Sequence, residues 1–102
     1  MKSYNELAIL RILDNSINRV GKEKDEHSAK SVVVKEGSGY VLRVTRKLLL
    51  HDEYCTMDVT AKNILEWSDR YDGDIFKGYL KDFHKLYREK ETQALDTEFK
   101  IV

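Results

Sequence analysis

The chain has 102 residues, and its 18 basic and 18 acidic side chains leave no formal net charge. Apolar residues make up 41% and charged residues 35%, with no proline, 5 glycines and 1 cysteine. That composition excludes a collagen-like or linker-like chain, an intrachain disulfide scaffold and a disordered polymer. No apolar run approaches the roughly 20 residues of a membrane-spanning helix, and the lone cysteine and polar start predict a single cytoplasmic domain.

Ser3 and Glu6 have the spacing of a helix capping box. Ile9, Leu10, Ile12, Leu13, Ile17 and Val20 then recur at helical period, and Gly21 supplies a stop. A helix over about 3–20 is predicted. The charged stretch from Lys22 to Ser28 has no apolar period and reads as an exposed loop.

Ser31 to Lys35 begins a β-branched run, and Gly37-Ser38-Gly39 has hairpin-turn chemistry. Tyr40 to Lys47 returns as a strand: Tyr40, Leu42 and Val44 make one apolar face, with Val41, Arg43 and Thr45 on the other. Leu48-Leu49-Leu50 is expected to prolong that strand. His51-Asp52-Glu53 turns, and Tyr54 to Val59 forms a third strand.

Asp58 or Thr60 can cap a second helix with Ala61, Ile64, Leu65 and Trp67 or Ser68 on its apolar side. Gly73 ends it and Asp74 caps the next. Ile75, Phe76, Tyr79, Leu80, Phe83, Leu86 and Tyr87 give that third helix a continuous apolar face. Gly78, within it, costs about 1 kcal/mol of helix propensity. Phe99 to Val102 is expected to be a short last strand or a tail. The order implies one α+β domain: an N-terminal helix, a three-stranded antiparallel sheet, and two C-terminal helices packed on one face. The other face is left open to water or a partner.

The catalytic strings are missing. There is no phosphate-cradling Gly-x-x-x-x-Gly-Lys-Ser/Thr and no dinucleotide fingerprint. Asp69 to Asp74 superficially suggests a calcium loop, but with Gly73 at the sharp turn the ligand positions fall on Ser68, Arg70 and Tyr79. His51, Glu53 and Cys55 are the densest set of metal-ligand types and lack a fourth member. Acidic neighbours would raise the Cys55 thiol pKa, so it reads as a packing residue. A metal-dependent nuclease built from Asp52, Glu53 or Asp58 with Lys47 ranks third among the functions considered. No cofactor is expected.

Charge is unevenly spread. From Lys30 to Lys47 five basic residues face one acid, and from Asp52 to Asp74 seven acids face two basic residues. These blocks either form two sides of the molecule or neutralise each other. Two candidate surfaces for nucleic acid emerge: Arg43 and Lys47 on the hairpin, and Lys77, Lys81, Lys85 and Arg88, with His84, along the third helix. Glu66, Asp69, Asp72 and Asp74 are the candidates for a protein partner, by charge complementarity or by mimicking phosphates. The favoured expectation is a small non-enzymatic inhibitor or adaptor, such as a phage or mobile-element accessory protein, that contacts another protein. Nucleic-acid binding is the alternative. No membrane is expected, and Val41 or Leu49 on the open sheet face could form a homodimer contact.

The order α-β-β-β-α, with Ala61-Lys62-Asn63 at the start of the helix after the sheet, is similar in topology to double-stranded-RNA-binding domains. That resemblance implies phosphate contacts near this helix start. The sequence departs from it there, with Asp58-Val59 where the family carries a basic pair. A winged-helix reading lacks a recognition helix next to the first.

Overall fold

The computed structural model describes residues 5–23, 29–49 and 51–100. It is an α+β fold with α1 (Glu6–Glu23), β1 (Lys30–Glu36), β2 (Gly39–Lys47), β3 (Tyr54–Val59), α2 (Ala61–Arg70) and α3 (Ile75–Lys100).

The first helix differs from expectation at both ends. Asn5 is its cap, its side chain accepting from the Ala8 amide at 3.2 Å. Glu6 does not reach back. It crosses to the sheet and accepts from the Tyr40 amide at 2.6 Å, while Ser3 lies outside the described residues. The helix also runs through Gly21, Lys22 and Glu23. A glycine is only a permissive stop, and it stays helical where the chain does not turn left-handed. The rest of the expected loop, 24–28, lies outside the described residues. Leu10, Leu13 and Ile17 are buried, whereas Ile12 is 58% exposed and leaves the predicted face.

The sheet is antiparallel in the order β1-β2-β3. Gly37, at φ +60°, and Ser38 make a two-residue turn, and Gly39 already pairs with Glu36. Glycine at the first central position with positive φ is the requirement of a type II′ hairpin. Leu42 lies between Val33 and Val59, and Val44 between Ser31 and Met57. Side chains alternate, so this register sends Leu42, Val44, Cys55 and Val59 inward together.

The expected extension of β2 does not form. The strand ends at Lys47, and the Leu48 amide donates to the Glu53 carbonyl at 2.9 Å, closing the loop to β3. Leu48 turns into the core while Leu49 is 78% exposed. Leu50 lies outside the described residues.

Helices α1 and α3 pack on the sheet, α1 on β1 and β2 and α3 on β3, and α2 packs on those two helices. Thr60 caps α2 through a complete capping box with Asn63. Ala61, Ile64 and Trp67 are buried, but Leu65 is 44% exposed. Along α3 the rings of Phe76, Tyr79, Phe83 and Tyr87 follow one another at 5.4, 5.7 and 6.3 Å between centroids. Helix continues through Phe99 and Lys100, replacing the expected last strand, and Ile101 and Val102 lie outside the described residues. At 1.5 Å per residue α3 is about 39 Å long, which draws the molecule out to 59 × 32 × 24 Å. No described helix is long and apolar enough to cross a membrane.

Candidate interaction surfaces

The open sheet face carries Val32, Val34, Val41, Arg43, Thr45, Lys47, Tyr54, Thr56 and Asp58, because these alternate with the inward residues. Two of its basic residues, Arg43 and Lys47, are already engaged. Arg43 donates to both oxygens of Asp58, Nε to Oδ1 at 2.9 Å and Nη2 to Oδ2 at 3.0 Å, and reaches Glu36 at 3.5 Å. Lys47 meets Asp52 at 3.4 Å. Basic and acidic blocks of the sequence therefore neutralise each other on this face, since β2 and β3 are antiparallel neighbours. The homodimer contact expected here would bury that ion cluster, and Leu49 lies beyond the end of β2.

The fork from Arg43 holds the Asp58 carboxyl below its usual range, the hydrogen bond being the largest cause, and Asp58 in turn raises Arg43. A carboxyl with a depressed folded pKa adds stability above its unfolded pKa and loses it as pH falls through the folded value. Acid titration is therefore expected to show a loss of stability beginning below about pH 4. Asp58→Asn should flatten that slope while changing neutral-pH stability modestly, as for a solvent-exposed pair. Urea midpoints measured from pH 6 to pH 2 check this.

The ligand-type residues at 51–55 do not converge. Cys55 points into the core, Glu53 is exposed, and His51 turns toward α3, its Nδ1 3.8 Å from Glu91 Oε2. No group of three His, Cys, Asp or Glu side chains able to hold a metal occurs among the described residues. The Cys55 thiol pKa is raised, by burial rather than by the acids nearby in sequence, with Lys90 opposing the shift. Thiolate is the nucleophilic form, so this thiol is poorly reactive.

Charge is left over on the hairpin of α2 and α3. The turn is a Schellman motif: the Gly73 amide donates to the Ser68 carbonyl at 2.7 Å, Asp72 takes the left-handed position directly after the cap at φ 54°, and Gly73 follows at φ 91°. Asp74 is spent on structure, its Oδ1 accepting from the Lys77 amide at 3.1 Å to cap α3. Glu66, Asp69 and Asp72 are exposed and form no salt bridge with a described residue. The same is true of Lys77, Lys81, Lys85 and Arg88, which form one exposed stripe on α3. Lys81, His84, Lys85, Arg88 and Glu89 border a shallow depression to which no second element contributes a wall. The Tyr71 ring lies under two of the lysines, with Lys77 Nζ 5.8 Å and Lys81 Nζ 5.7 Å from its centroid.

These charges work against local helix stability. Asp69 in the last turn of α2 opposes its dipole, as does Lys77 in the first turn of α3. Arg70 is the favourable exception.

Sequence reasoning missed three carboxylates that tie elements together. Glu6 holds β2, Asp82 accepts from the Trp67 indole Nε1 at 2.9 Å, and Glu91 accepts from the Leu49 amide at 2.7 Å. A signal existed for Glu91, which shares the inward stripe of Phe83, Tyr87 and Ala94 at helical spacing. At the start of α2 the RNA-binding resemblance finds Asp58 bound to Arg43 and Asn63 in the capping box. No family model, curated protein or solved structure matches the chain.

Proposed function

We propose that this chain is a small non-enzymatic binding protein, an inhibitor or adaptor, that contacts another protein through the α2–α3 hairpin. One observation supports this reading: Glu66 and Asp69 on α2, Asp72 in the turn, and Lys77, Lys81, Lys85 and Arg88 on α3 are exposed without a salt-bridge partner among the described residues. On the sheet face, by contrast, Arg43 pairs with Asp58 and Lys47 with Asp52. A surface presenting both signs side by side suits a protein partner, which can offer the complementary pattern. A polyphosphate backbone would meet the acidic pole as well as the basic one.

The unpaired lysines of α3 favour nucleic acid as the second reading. Two measurements separate them. Capture from source cells is expected to yield a partner protein whose association rate at low salt falls at least about tenfold in the Glu66→Gln/Asp69→Asn/Asp72→Asn variant. An unchanged rate overturns the hairpin as the contact surface. Fluorescence anisotropy with duplex DNA, duplex RNA and single strands is expected to stay flat at low salt. Binding with a log–log salt slope of about −3, abolished in Lys81→Glu, would install the second reading.

A further inference from the structure

We infer that β1 pairs antiparallel with the β1 of a second copy of this chain, about a two-fold axis between the two Val33 residues, so that the two sheets join edge to edge. β1 lies at the edge of the sheet, and among the described residues only β2 pairs with it. Its other side presents a row of backbone amides and carbonyls that a further strand can bond. The contact does not use the α2–α3 hairpin and leaves it free for its partner. A two-fold contact needs a surface that complements itself, and the strand Lys30-Ser31-Val32-Val33-Val34-Lys35-Glu36 does so. Centred on Val33, all 7 of its residues find a partner: Lys30 lies opposite the partner's Glu36, Val32 opposite its Val34, and Ser31 opposite its Lys35. Each of these contacts forms twice.

Charge and register point to a copy rather than to an unrelated strand. Charged residues on an edge ordinarily discourage pairing. Lys30 and Lys35 are exposed and form no salt bridge with a described residue. In this register both meet the opposite sign: Lys30 meets the partner's Glu36, and Lys35 approaches Asp14 of the partner, whose carboxylate accepts from the Ser31 hydroxyl. Sliding the strands by one step that keeps every side chain on its own face sets Lys30 against Val34, or Val32 against Glu36, and loses both ion pairs. On the open face Val32 is 56% exposed. Val34 already lies beside Val41, so the partner's Val32 would extend that apolar row across the seam.

Sedimentation velocity of the full chain from about 10 to 500 µM is expected to show a monomer–dimer equilibrium, as for a small interface. Lys30→Glu and Glu36→Lys each set like charges opposite one another twice, and each is expected to weaken the dimer at least about tenfold. Mixed, the two variants are expected to form a one-to-one heterodimer, because the signs match again. Both positions are exposed, and Trp67 fluorescence checks that the fold is kept. Oxidative cross-linking reads the register. In Val33→Cys the two thiols face each other with Cα atoms about 4.5–5.5 Å apart, within disulfide range. In Lys35→Cys they lie about 14 Å apart along the strands. The native Cys55 is 2% exposed and does not compete. Val33→Cys is therefore expected to cross-link and Lys35→Cys to stay monomeric. A wild-type chain that is monomeric at every concentration overturns the self-pairing, while capture of a hairpin-dependent partner would still uphold the protein-binding reading. Dimers undiminished in Lys30→Glu, a mixture no tighter than either variant alone, or Lys35→Cys cross-linking as fast as Val33→Cys overturn the pairing through β1.

Discussion

Gly78→Ala is expected to destabilise the fold by about 2–3 kcal/mol, although alanine is the better helix former by about 1 kcal/mol. A Cβ at this position would lie 2.3 Å from Trp67 Cγ and 2.5 Å from Trp67 Cβ. Trp67 cannot swing aside cheaply. It is 4% exposed, and its indole is fixed by the 2.9 Å bond to Asp82 one turn further along α3. The added methyl must therefore push α2 away from α3 or break that bond. Urea unfolding followed by Trp67 fluorescence measures the loss. Trp67→Phe is poorly matched as a rescue because Cβ and Cγ remain. Trp67→Ala removes Cγ but keeps Cβ, so in the Gly78→Ala background it should relieve the clash in part, the double variant costing less than the sum of the two single ones; circular dichroism reads it, because Trp67 is the only tryptophan. A Gly78→Ala protein as stable as the wild type would mean that α2 and α3 do not approach this closely.

Glu91→Ala is expected to cost about 2 kcal/mol and to loosen the segment after β2. Its carboxylate is only 17% exposed and serves two groups, the Leu49 amide and the His51 ring. Tyr87, one turn earlier on α3, donates to the Lys47 carbonyl at 3.1 Å. Together they hold the end of β2 against α3 where the ladder stops. Glu91→Gln keeps an acceptor for the Leu49 amide and loses the charge facing His51, so its cost should be smaller. Hydrogen exchange locates the effect: the Leu49 and Leu48 amides should exchange faster, while those of Leu42 and Val44 stay protected until global unfolding. Unchanged protection at Leu48 and Leu49 would show that the ladder, not α3, sets this boundary.

The order of elements was legible from periodicity because every buried face repeats at the period of its own backbone. Leu10, Leu13 and Ile17 mark α1, Leu42 and Val44 mark β2, and Tyr79, Phe83 and Tyr87 mark α3. The errors fall where a tertiary contact overrules a local signal. Gly21 permits a stop but does not impose one. The leucines after Lys47 have strand propensity, yet Glu53 takes the Leu48 amide and Glu91 the Leu49 amide. Phe99 has a strand-favouring ring, and the helix carries it along.

For the candidate site, sequence alone determined which charges sit on one helical stripe, because Lys77, Lys81, Lys85 and Arg88 follow from the helical repeat itself. It also determined that Asp74 caps α3, since capping is a contact within three residues. Only the tertiary structure decided which charges remain available. Arg43 and Asp58 are 15 residues apart in the chain, and no local rule pairs them. The antiparallel register places them opposite each other, cancelling the hairpin's basic face and leaving the α2–α3 surface charged. Gly78 divides in the same way: its residue type predicted a weak point in an isolated helix, and the packed Trp67 makes it the place where two helices can touch.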